Sequence, residues 1–180
     1  VIFISLKTKR FFDPFICMET TAENIIRELK RQLLDRFMKS GAHVDLFDAI
    51  HGLSWEQAGQ KRENFPYNIW QLTEHIRITQ YDIVAFCRDP NYKSPDWPLG
   101  YWPKQDSPRD SKEWQQCLAN IRADHEAFAD LLQQEDVEIL KRFDHGTGQS
   151  LFNEALLILD HNAYHVGQII LIRKLNGWWH

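Results

Sequence analysis

The stretch that decides the reading of this chain is Asp160-His-Asn-Ala-Tyr-His-Val-Gly-Gln168, set inside a run from Leu151 to Asn176 that winds as one long helix. Its two histidines, His161 and His165, are four residues apart. On a helix they leave the same face with Cβ atoms about 6 Å apart, close enough for both imidazoles to reach one ion. At 100° per residue Glu154, Ile158, His161, His165, Gln168 and Ile172 fall on a single stripe. Leu157, Leu159, Ile169, Ile170 and Leu171 surround that stripe, so the helix is apolar over most of its circumference and its polar side chains belong in or near a core. Buried polar groups need partners. A divalent cation shared by two histidines is one solution; hydrogen bonds made by core or capping histidines are another.

Outward from this helix the signals stay helical. Gly146-Thr-Gly148 breaks the pattern before Ser150, an N-cap residue, while Arg173, Lys174 and Gly177 mark the C-terminal end. Upstream, Asp110 and Glu113 have capping-box spacing, and Trp114, Cys117, Leu118, Ile121, His125, Phe128 and Leu132 follow at helical spacing. Another helix runs from about Asn68 to Cys87, closed by Asp89-Pro90. The first carries Ile25, Ile26, Leu29, Leu33 and Phe37 on one face behind Thr20 and Glu23, again at capping-box spacing. Short helices are expected at 44–50 and 54–60. No strand pattern competes, so the fold class is all-α: a four-helix bundle with long crossover connections. Residues 1–17 read as an appendage to a single domain spanning 18–180, because Met18 has the look of a natural start.

The composition narrows the function classes. Of 180 residues, 43% are hydrophobic and 26% charged, and 21 Lys plus Arg against 25 Asp plus Glu give a net charge of -4 with both signs interspersed, which argues against a nucleic-acid surface. No uninterrupted apolar run approaches the ~18 residues of a bilayer span. Cys17, Cys87 and Cys117 show no CxxC spacing and read as reduced thiols of a cytoplasmic protein. A chain of this length folds without a metal to staple it, so a metal site here is a functional one.

A third ligand is needed, and His75 is the best candidate. It lies on the amphipathic helix that starts near Asn68, on the face that carries Leu72, Thr79 and Asp82, and a bundle core brings such faces together. Between that helix and the next, Asp89 to Asp110 holds five of the seven prolines together with Tyr92, Trp97, Tyr101 and Trp102. Such a segment packs over something.

Three stretches carry a family resemblance: Trp70-Gln-Leu-Thr-Glu-His-Ile76, Trp97-Pro-Leu-Gly-Tyr-Trp-Pro103, and Asp160 to Gln168 followed by Arg173 and Gly177-Trp178. Over about residues 20–179 the chain resembles the DinB-like (DinB/YfiT) proteins, a superfamily of metal-dependent enzymes. The resemblance implies an up-down-down-up four-helix bundle, often a homodimer, that holds nickel, zinc or a similar ion through His75, His161 and His165. Characterised members include thiol-dependent S-transferases and a mycothiol-dependent isomerase, so the implied partner is a small molecule, with a low-molecular-weight thiol as cosubstrate.

Three neutral imidazoles leave a dipositive ion uncompensated and with open positions, where a thiol or water loses its proton more easily. A thiolate gives S-transfer and a hydroxide gives hydrolysis; the ligands permit both. The alternative is a non-catalytic metal-binding or stress-response bundle, with a fourth protein ligand such as His125 or Glu154 closing the site. Asp82, Glu154 and Gln168 share faces with the ligands and are candidates to orient them or to make interhelical hydrogen bonds. Asp160 and Asn162 diverge from His161 by 100° and serve packing. Trp97, Tyr101 and Trp102 either wall a pocket or cover the core. His43, His51, His145 and His180 are expected at the surface, and Trp178-Trp179 is expected to pack on another surface, such as a dimer mate.

Overall fold

The computed structural model describes residues 21–39 and 41–179, so the reading of residues 1–17 and the position of His180 lie outside the described residues. The chain order is α1 (Ala22–Met38), α2 (Leu46–Ile50), α3 (Trp55–Gly59), α4 (Ile69–Arg88), a single 3₁₀ turn at Leu99–Tyr101, α5 (Ser111–Gln133) and α6 (Leu151–Leu175). Among the described residues the only β pairing is an isolated bridge between Arg142 and Ser150. The all-α expectation holds, and the four long helices fall where the periodicity put them.

Local chemistry sets the helix ends. Thr21, not Thr20, caps α1 by accepting the Asn24 N–H. Asp110 caps α5 through the Glu113 N–H, but Glu113 does not close the box; its carboxylate takes the Arg109 main-chain N–H and guanidinium instead. Asn68 and Gln71 form a complete box at the start of α4, and Ser150 caps α6. At the far end of α6, Gly177 sits at φ +71° while its N–H reaches Lys174 O and the Trp178 N–H reaches Arg173 O. That paired return is a Schellman motif, and it needs a residue without a Cβ penalty in the left-handed region.

Side-chain contacts give the helix senses. Trp70 meets Trp114, Gln80 donates to Ile121 O and Arg88 to Ala127 O, so α4 and α5 run parallel. His75 meets His161 and Gln80 meets Asn162, while Phe86 O pairs with His145 just before α6, so α4 and α6 run antiparallel. Phe37 packs on His125 and Phe128, and Lys30 reaches Gln134 O, which makes α1 antiparallel to α5.

The core falls into two apolar halves. One gathers α2, α3, the first half of α4 and the last half of α6 around Ile69, Trp114 and Ile169; the other gathers α1, the last half of α4 and the first half of α6 around Phe128, Leu132 and Ile158. Between them lies a polar belt that includes Gln80, which is almost fully buried and bonded at both ends of its amide. The histidines belong to this belt.

By length and composition α6 is apolar enough to cross a membrane, a property the uninterrupted runs of the sequence understate. In this structure it is a bundle helix with Glu154, His165 and Arg173 buried against protein. Trp178 and Trp179 find their partners within the chain: Trp178 packs against the core and Trp179 lies over Arg173. The left-handed turn at Gly177 folds the tail back, so both indoles have contacts within the chain while staying half-buried. His145 is also not a plain surface residue; it is half-buried, bonded to Phe86 O and packed on Phe86 and Phe143.

Candidate metal centre

The antiparallel contact of α4 and α6 puts His75 opposite the i,i+4 pair His161 and His165, and the three nitrogen ligand atoms lie within 4.8 Å of one another. The structure thus brings together all three residues that the sequence singled out. Their orientation suits an ion. His75 Nδ1–H donates to Tyr101 O at 2.7 Å, and His165 Nδ1–H donates to Gln168 Oε1 at 2.7 Å. Both rings therefore turn a bare Nε2 lone pair inward. His161 Nε2 lies 2.9 Å from His75 Nε2 and, without an ion, donates its proton there. Tetrahedral Zn–N bonds of about 2.0–2.1 Å place nitrogens roughly 3.3 Å apart, so only small side-chain movement separates this arrangement from a loaded one.

Burial decides the charge state. It holds all three imidazoles below the ordinary histidine pKa, most strongly His161, which is pushed down to about 3 by burial and by its two histidine neighbours. The Tyr101 carbonyl and the Gln168 amide pull the other way on His75 and His165, with smaller effect. Three neutral imidazoles held inward are the donor set that a borderline divalent ion takes. Among the described residues no fourth His, Cys, Asp or Glu atom joins them.

The proline-rich connection forms the cover. Trp102 lies flat on His75 with centroids 4.1 Å apart and planes 2° apart, and Tyr67 stacks on the opposite face of Trp102 at 4.2 Å. Trp102 does both of the things open to this loop: it walls the centre and packs against one half of the core. Trp97, 77% exposed, touches Tyr101 edge-on and covers no core. Gly100 permits the tight fold of the segment, since a Cβ there would meet the Pro95 side chain at 2.7 Å. Tyr101 has two roles: its main-chain oxygen holds His75 and its phenol donates to Asp82 Oδ2 at 2.8 Å.

The other candidates sort plainly. Gln168 orients His165, and Asp82 reaches the centre only through Tyr101. His125 stacks on Phe37 and meets Phe47 edge-on, away from the three histidines. Asn162 donates to Gln80, and Asp160 is exposed. Arg173, part of the sequence resemblance, clamps Ala49 O and Trp178 O. Sequence reasoning missed Tyr67 and the main-chain role of Tyr101. An aromatic just before the Asn68 cap was a signal for the first; a carbonyl carries no residue-type signal.

An all-helical domain with three inward histidines on two antiparallel helices defines a candidate mononuclear metal protein. The family model of the DinB superfamily matches residues 41–169, and the chain belongs to the DinB superfamily. No curated protein and no solved structure matches it.

Proposed function

We propose that this chain is a metal-dependent enzyme that holds one nickel or zinc ion through His75, His161 and His165 and transfers or rearranges a group on a small molecule with a low-molecular-weight thiol as cosubstrate. The single observation that carries this reading is the inward, neutral three-histidine group with no fourth protein ligand atom among the described residues. A divalent ion there supplies a Lewis acid that lowers the pKa of a thiol it binds. The chain's own residues do the rest. His75 and His165 are fixed by Tyr101 and Gln168, and Trp102 shields one side from water.

The thiol comes from outside the protein on this reading. Cys117 is buried and its thiol is held far above the ordinary range, and burial pushes the half-buried Cys87 up to about 12, so neither is a thiolate nucleophile at neutral pH. Free cysteines accord with a cytoplasmic location. The helix senses support an up-down-down-up bundle. Leu156, Leu157, Leu171 and Leu175, exposed along α6, favour a homodimer through that helix.

The test is elemental analysis of the purified chain and of His161→Ala after desalting against a weak chelator. About one nickel or zinc per chain, lost in the variant, followed by turnover with a thiol cosubstrate, is the expected result. A chain that holds no metal and takes up none overturns the reading; full loading without thiol-dependent turnover favours the non-catalytic metal-binding bundle.

A further inference from the structure

Two turns along α4 from His75, the polar belt contains two buried side-chain oxygens, Thr79 Oγ1 and Asp82 Oδ1, that make no hydrogen bond. Asp82 is 9% exposed, and Tyr101 occupies only its Oδ2; Oδ1 is buried with no hydrogen-bond partner. Thr79 lies between His75 and Asp82 on the same face, and its Oγ1 is likewise buried and unpartnered, without the bond to a carbonyl one turn back that Thr73 makes to Ile69 O. Across from them on α6, Glu154 is 6% exposed and its carboxylate makes no hydrogen bond or ion pair among the described residues. Asp82 is near enough to Glu154 to raise its pKa along with burial. Buried acceptors are normally satisfied, and a buried pair of carboxylates normally has a cation. Here neither condition is met.

We propose that Thr79, Asp82 and Glu154 form an ammonium subsite, a recess for the protonated primary amine of the small molecule whose other end reaches the three histidines. The count of groups fits: an alkylammonium has three N–H donors, and the recess offers the free Asp82 oxygen, the Thr79 hydroxyl and the Glu154 carboxylate. Tyr92 and Tyr101, both beside Asp82, add aromatic surface suited to a cation. A hard divalent ion is a poorer match, since it asks for six or more oxygens. The helical rise puts Thr79 about 6 Å and Asp82 about 10 Å along the axis from His75. A ligand that spans both sites therefore has its amine and its metal-seeking group some four to six bonds apart. That spanning rests on the metal-site reading above; the recess itself does not.

The first experiment needs no metal. The full-length chain is titrated with n-butylammonium chloride and, separately, n-butanol, and followed by ¹H–¹⁵N NMR. Saturable shifts centred on Thr79 and Asp82 with the amine alone, retained in His161→Ala and weakened at least tenfold in both Asp82→Asn and Glu154→Gln, are expected. No saturable response, or equal binding by the folded variants, overturns the subsite and leaves a buried water as its occupant. In the second experiment the cobalt-loaded chain receives 3-aminopropane-1-thiol or propane-1-thiol, and its visible spectrum reports thiolate binding. The aminothiol should bind at least tenfold more tightly, an advantage lost in Asp82→Asn. Equal binding of the two thiols overturns the spanning ligand. Butylammonium binding in a chain that takes up no cobalt supports the recess and sinks the metal-site reading.

Discussion

The imidazole of His75 and the indole of Trp102 lie parallel within 2°, centroid over centroid at 4.1 Å. With Nδ1 tied to Tyr101 O, this stack leaves the ring no free rotation, and its Nε2 is aimed before any ion arrives. Orientation of a ligand before binding is worth affinity because the ordering cost has already been met by folding.

Trp102→Ala should therefore weaken metal binding by about tenfold or more, while Trp102→Phe, which keeps a flat face over His75, recovers most of the loss. Competition against a chromophoric chelator measures both. Equal affinities for wild type and Trp102→Ala would show the stack to be irrelevant to the centre.

Gln168 accepts the Nδ1–H of His165 and so fixes which nitrogen faces inward. Gln168→Ala should lower metal affinity by about 10- to 100-fold, with Gln168→Glu near or above wild type, since a carboxylate accepts the same proton. The chelator competition applies again, and circular dichroism checks that the helix content is unchanged.

The depressed histidine pKa values fix a pH dependence with a definite sign. Below about pH 6.5 the unfolded chain binds protons that the buried imidazoles refuse, so the metal-free protein loses stability as the pH falls from 6.5 toward the folded values, near 3 for His161. Thermal melts of the metal-free chain should show Tm falling across that window, and His161→Ala should flatten the decline. Metal uptake has the matching behaviour: because protons compete weakly for these rings, loading should persist well below pH 6.5. Half-loss of metal at the pH of free histidine would contradict the burial argument.

Arg173 is buried and donates to Ala49 O on α2 and to Trp178 O beyond α6. Arg173→Met keeps the stem but leaves those carbonyls without a charged donor, a loss of about 2–4 kcal/mol of stability. Metal stoichiometry should stay at one per chain. A variant of normal Tm that fails to load metal would move Arg173 from the fold to the site.

What was legible in the sequence was whatever a single helix face or a local cap encodes. The four long helices, the Ser150 and Asp110 caps and the alignment of His161 with His165 follow from spacing alone. The third candidate ligand, His75, could be named from its helix face, but its meeting with His161, 86 residues away, is a pairing of helices that periodicity does not specify and that only the family resemblance implied. Contacts made by backbone atoms left no trace: any residue at position 101 has a carbonyl for His75. The fate of Trp178 and Trp179 turned on the direction of one left-handed turn. Gly177 announced that turn, but not which surface lay behind it.

The parallel sense of α4 and α5 has one more consequence. Their connection must carry the chain back along the whole of α4, about 30 Å for 20 residues, a distance that roughly nine extended residues can cover. Residues 89–110 number 22. The surplus is the part that reaches His75 and Asp82, so the requirement to return and the work of lidding the histidines fall on one strap. Shortening that strap toward the geometric minimum would leave the bundle closable and the centre bare, which makes its length a handle on access to the site that is separate from the stability of the fold.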